Sequence, residues 1–65
     1  MMTEFGRGER VEIVKGGPLR ERTGTVMLAD PYHLMYCVEL DSPVNGRRLV
    51  ILHESDMMQE VFFDE

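Results

Sequence analysis

The side chains here that could attack a substrate or ligate a metal are scarce and far apart: His33, Cys37, Ser42, His53 and Ser55. The histidines and the cysteine fall in different segments, with neither the paired spacing of a zinc site nor the order of a known catalytic triad. Neither serine is framed by glycines as a nucleophile elbow requires. Gly16-Gly17-Pro18 lacks the lysine and following helix with which a phosphate loop holds its ligand. Glu39 and Asp41 are two residues apart and share a strand face, where they read as a solvated edge rather than an acid/base couple. The expectation is no catalytic residue, no metal and no cofactor, in a protein that is not an enzyme.

Binding chemistry is better represented. Lys15, Arg20 and Arg22 flank or occupy one polar loop, and Arg47 and Arg48 lie in another. They are either ordinary solvated loop charges or a local basic rim able to meet phosphate or an acidic protein surface. The whole chain carries a net charge of −5, and three of its acidic residues, Glu60, Asp64 and Glu65, stand in the last six positions. That balance opposes tight nonspecific nucleic-acid binding. Leu49-Val50-Ile51-Leu52 is apolar at every position, so if Val50 and Leu52 face a core, Leu49 and Ile51 face outward. An outward apolar pair needs a cover, either Phe62 or Phe63 of the same chain, a partner protein, or a second copy. Met35, Met57 and Met58 either extend such a patch or fill the core.

These residues must be positioned by strands. Val11 and Ile13 alternate with polar neighbours, and Gly16-Gly17-Pro18 ends that strand because proline cannot donate to a ladder. Residues 19–23 form a loop, and Thr25 to Ala29 a second strand with Val26 and Leu28 on one face. Asp30-Pro31-Tyr32-His33 is a turn, since the residue before proline is pushed out of the helical region. Leu34 to Leu40 is the third strand, with Tyr36, Val38 and Leu40 on one face and Met35, Cys37 and Glu39 on the other. Residues 41–46 follow, and their Asn45-Gly46 pair can supply the positive φ angles of a tight hairpin. Arg48 to His53 is the fourth strand. Glu54 to Met57 reads as one helical turn capped by Ser55 or Asp56, and Val61-Phe62-Phe63 as a short final strand. Five short strands with turn signals at this density predict one small closed sheet.

With 65 residues, the chain reads as a single domain over 1–65 with flexible ends at 1–7 and 64–65. A core of this size rarely supplies more than roughly 3–5 kcal/mol. Cys37 is the only cysteine, which excludes an internal disulfide and makes a reducing, cytoplasmic setting the default. The first seven residues lack the apolar stretch of a signal peptide, and no segment approaches the length of a membrane span. A soluble, unexported protein is expected.

The order Gly8-Glu9-x-Val11, Gly17-Pro18, Gly24-x-Val26, Val38-Glu39-Leu40 and Val50-x-Leu52 resembles the KOW motif and the SH3-like barrel that carries it. The sequence is most similar to the C-terminal domain of NusG, where a Gly-Pro is also followed after five residues by a glycine opening the second strand. The resemblance runs from about Gly8 to Val61; the N-terminal domain of NusG has no counterpart in these residues, and the loop before the fourth strand is shorter and differently composed. It implies an all-β fold, a small five-stranded SH3-like barrel with one short helical turn before the last strand. It also implies structural roles for Gly17, Pro18 and Gly24, a Cβ at position 24 obstructing a close backbone approach.

Domains of this class generally bind RNA or protein through loops at one end and the adjoining strand surface, here residues 17–23 and 42–48. Three functions follow. The first is a noncatalytic module docking a protein partner through Leu49, Ile51 and Met35, in a transcription or translation assembly. The second is an RNA-binding domain using Lys15, Arg20, Arg22, Arg47 and Arg48. The third is a structural homodimer or an accessory subunit of a larger complex. No membrane partner is expected. Acidic net charge and few exposed aromatics for base stacking favour the first.

Overall fold

The computed structural model describes residues 5–60. Five strands, β1 (Arg10–Ile13), β2 (Thr23–Asp30), β3 (Met35–Val44), β4 (Arg47–His53) and β5 (Met57–Gln59), form one antiparallel sheet in the order β4-β3-β2-β1-β5. A single 3-10 turn, η1 (Glu54–Asp56), precedes β5. This is the small all-β architecture expected from the sequence. The last strand among the described residues is Met57–Gln59, pairing Met57 with Ile13 and Gln59 with Val11. The expected strand Val61-Phe62-Phe63, and with it any cover by Phe62 or Phe63, lies outside the described residues.

Two turns form where the sequence places them. Gly17 has φ +104, and the loop then tightens through hydrogen bonds from the Arg20 amide to the Gly17 carbonyl (3.1 Å) and from the Arg22 amide to that of Leu19 (3.0 Å). Asn45 (φ 53) and Gly46 (φ 78) both adopt the left-handed conformation of a two-residue hairpin, whose twist matches that of the flanking strands. Their pairing Val44↔Arg47 extends β3 through Asp41, Ser42 and Pro43, a stretch the composition alone reads as loop.

The core contains Phe5, Val11, Ile13, Val26, Tyr36, Val38, Leu40, Leu52 and Met57. Its inner rows follow from register: Val26, Val38 and Val50 stand across three strands, and Tyr36 stands opposite Leu52. Two expectations are corrected here, and one open alternative is settled. Phe5 falls in the stretch expected as a flexible end, yet it is only 3% exposed and sits edge-on to Tyr36 at 5.6 Å. Of the two roles open to Met57, patch or core, it takes the core, where its pairing with Ile13 places it. Leu28 does not share the inner face with Val26: the register shifts between them, Val26 facing Val38 and Leu28 facing Cys37. The extra residue is Met27, and one added residue turns every later side chain to the opposite face.

Among the described residues, no ladder joins β4 to β5, so the rolled sheet is closed at a corner by η1 instead of by strand pairing. The Glu54 amide donates to the Leu34 carbonyl (2.8 Å), and the Asp56 carbonyl accepts from the amides of Val14 (2.8 Å) and Lys15 (3.2 Å). The cap of η1 is neither Ser55 nor Asp56 but His53. Its Nδ1 accepts from the Ser55 amide at 3.1 Å, while the Asp56 carboxylate accepts from the His53 amide at 3.1 Å. A ring nitrogen here does what a serine oxygen does in the usual capping box.

Gly24 pairs with Val11 on one side and Leu40 on the other. A Cβ there would lie 2.5 Å from the Glu39 carbonyl oxygen and 2.8 Å from Cγ1 of Val38. Gly24→Ala is therefore expected to destabilise the domain by about 3 kcal/mol, read as a lowered urea midpoint. By contrast, the Tyr36 hydroxyl is buried without a partner among the described residues. Tyr36→Phe should leave the melting temperature unchanged or raise it, since it removes an unsatisfied group; a clear fall would show that the hydroxyl has a partner.

Candidate docking face

The outer face of β2, β3 and β4 is where the fold gathers exposed apolar side chains. Register places Leu28, Cys37 and Ile51 in one row across the three strands. In the row beside it, Met35 stands between Asp30 and His53; on the other side, Glu39 stands between Thr25 and Leu49. Ile51 is 70% exposed, Leu28 63% and Leu49 57%, whereas Met35 and Cys37 are half-buried. Two shallow grooves meet at Ile51. One, of about 560 Å³, runs between β4 and the Pro18-Leu19 segment and also touches Val44 and Arg47. The other, of about 420 Å³, is lined by Leu28, Ala29, Asp30, Met35, Cys37 and Ile51.

Leu49, Ile51 and Met35 therefore share one face. Leu28 and Cys37 complete it; the sequence placed Cys37 on this side of β3 without giving it a docking role, and it put Leu28 on the opposite face. The continuous apolar run Val26-Met27-Leu28-Ala29 carried no sign of which residue would be the extra one. Met58 is also exposed, but it borders a different cleft, with Phe5, Glu54 and Met57.

The five basic residues are not gathered into one cleft. Arg47 lines the larger groove beside Leu49. Arg48 is turned back on its own chain, its Nη1 donating to the carbonyls of Leu40 (3.4 Å) and Asp41 (3.3 Å). Arg22 borders a small cleft with Glu21, Thr23, Asp41 and Ser42. Lys15 and Arg20 are exposed on the loop between β1 and β2. Gly17 sets the turn that presents Pro18 and Leu19 to the larger groove.

A polar cluster at the end of the sheet was also missed. Arg10 makes a bidentate pair with Asp41 (Nη1 to Oδ1 2.7 Å, Nη2 to Oδ2 2.5 Å), and it donates to Glu60 through Nε (2.9 Å) and to Thr25 (3.0 Å). The Thr23 hydroxyl donates to the same Asp41 carboxylate at 2.5 Å. One guanidinium thus ties β1, β2, β3 and the residue after β5. Hydrogen bonds from Arg10 and then Thr23 hold the Asp41 carboxyl well below the ordinary aspartate range, and the Arg10 guanidinium is raised by its bond to Asp41. Elsewhere, the Asp30 carboxyl is lowered by its hydrogen bond with His33, whose Nδ1 lies 2.8 Å away. Among the described residues, no three of the His, Cys, Asp and Glu side chains come together as a metal site.

No family model and no curated protein matches this sequence. Among solved structures, the chain is similar to one chain of the crystal structure of the MjSpt4:Spt5 complex in conformation B, with a TM-score of 0.78 and 17% sequence identity. The match covers 100% of this chain and 43% of that one. The likeness shows the fold alone, a small SH3-like β-barrel.

The Arg10–Asp41 pair leads to a pH-dependent expectation. Arginine keeps its charge at every accessible pH, so the dependence comes from Asp41. Its carboxyl is lowered in the folded state, so its contribution is complete above the unfolded aspartate range and is lost as pH falls through the lower folded value. Both side chains are more than a third exposed and solvent screens them, which limits the contribution to about 1 kcal/mol. Asp41→Asn should lower the melting temperature at neutral pH by roughly 4–8 °C and narrow its gap to the parent in strong acid; a gap that stays constant with pH would refute the assignment.

Proposed function

We propose that this domain is a noncatalytic docking module whose partner is a protein. The carrying observation is the exposed apolar row Leu28, Cys37 and Ile51, continued by Leu49 and Met35 and edged by Arg47. Contiguous apolar surface with a polar border marks interaction sites on small soluble domains, and an arginine at its margin favours a partner segment with an acidic residue beside its apolar ones. The solved relative comes from a complex of two proteins, which supports a protein partner. The residue pattern shared with the C-terminal domain of NusG supports a place in a transcription or translation assembly.

The RNA reading draws less support. Its five basic residues are divided between separate surfaces, and Arg48 is engaged with backbone carbonyls. Tyr32, the exposed aromatic among the described residues, packs against His33 rather than beside the arginines. Nucleic-acid grooves combine cationic tracks with stacking platforms, and these two features are apart here.

Ile51→Glu should leave the fold intact, since substitutions at exposed positions usually change stability by no more than about 0.5 kcal/mol. It should weaken binding to a partner, identified by capture and then purified, by at least about tenfold, or ~1.4 kcal/mol. Unchanged affinity would remove this face from the interaction. If RNA is the ligand instead, log affinity will fall with log salt at about −0.7 per phosphate neutralised, and Arg20→Ala with Arg22→Ala will weaken it while Ile51→Glu will not.

A further inference from the structure

The free edge of β4 is a second feature of this face. β4 is the terminal strand of the sheet, paired to β3 on one side and, among the described residues, to no strand on the other. Its central residues, Leu49 to Leu52, carry neither charge nor proline, the devices that commonly keep a sheet edge from pairing. The larger groove is lined by Leu49, Val50 and Ile51 in succession. Because consecutive strand residues face opposite ways, a groove touching all three runs along the backbone edge, with the Pro18-Leu19 segment as its other wall.

The charges at the two ends of β4 say what fits there. Arg47 and Arg48 open the strand, and Glu54 and Asp56 of η1 follow immediately after it. A second β4 laid antiparallel would bring the cationic end of each copy to the acidic end of the other, twice over. Parallel pairing would set like charges together. Continuity of the outer face restricts the register further, since a one-residue slip would place outward side chains opposite inward ones. The allowed register centred on the strand sets Val50 opposite Val50 of the second copy, and Leu49 opposite Ile51. Leu49 and Ile51 of both copies then form one apolar strip on a continuous sheet.

We propose that two copies of this chain pair antiparallel through their β4 edges about a two-fold axis at Val50. The pairing needs only the edge and end charges of β4 and stands independently of the docking reading. Both use Leu49 and Ile51, so a self-paired dimer would compete with a partner for this surface.

Sedimentation equilibrium on the full chain over a wide concentration range tests the proposal, together with oxidation of Val50→Cys and Arg47→Cys variants, each in a Cys37→Ser background. A reversible monomer–dimer equilibrium is expected, weakened by added salt and weakened at least tenfold by Ile51→Lys with an unchanged circular dichroism spectrum. Directly opposed residues in antiparallel strands have Cα atoms about 4.5–5.5 Å apart, within disulfide reach, so Val50→Cys should cross-link between chains. The two copies of residue 47 would lie about 20 Å apart along the paired strands, so Arg47→Cys should not. A monomer at every concentration overturns the proposal; if Ile51→Lys then still abolishes binding to a different protein, the edge serves a foreign segment and the docking reading survives. A dimer indifferent to Ile51→Lys, or Arg47→Cys cross-linking as readily as Val50→Cys, also overturns it.

Discussion

There is no room for a side chain at position 24. β2 is the strand shared by both halves of the sheet, and at Gly24 it lies between Val11 of β1 and Leu40 of β3, with the Glu39 carbonyl where a Cβ would be. This close approach lets a short sheet roll tightly around a small set of buried side chains. The small core in turn requires that nearly every inward position be apolar. What remains of the apolar content is carried outward, and much of it lies on the outer face of β2, β3 and β4.

Much of this was legible because strand chemistry is local. Gly17-Pro18 and Asn45-Gly46 mark turns whose backbone angles follow from residue type. The alternation from Met35 to Leu40 separates inner from outer faces, and the unbroken apolar run of β4 implies that Leu49 and Ile51 face out. What escaped depends on pairing, which no local pattern encodes. The bulge at Met27 hides in four consecutive apolar residues, and it transfers Leu28 from the core to the docking face. Arg10 meets Asp41 and Glu60 across separations of 31 and 50 residues, so Asp41 read alone looked like part of a solvated edge. His53 caps η1 through a ring nitrogen, a role that residue preferences assign to serine or aspartate.

The polar and apolar features are divided between two regions. The arginine with the most partners, Arg10, is committed to holding the strands together, and Arg48 is folded onto carbonyls of β3. Arg47 alone among the arginines borders the apolar groove. A face with many hydrocarbon contacts and one adjacent cation derives most of its affinity from burial, while the charge sets orientation. Such a surface selects its occupant by shape more than by charge density.

The attachment of β5 bears on the order of events during folding. β2, β3 and β4 are successive hairpins whose contacts are close in sequence, but β5 reaches β1 only by closing a loop of more than forty residues. Closing so long a loop costs chain entropy before any contact offsets it, so loop entropy favours the meander over the joining of β1 to β5. The Arg10 cluster spans that seam, its bond to Glu60 tying β1 to the residue that follows β5.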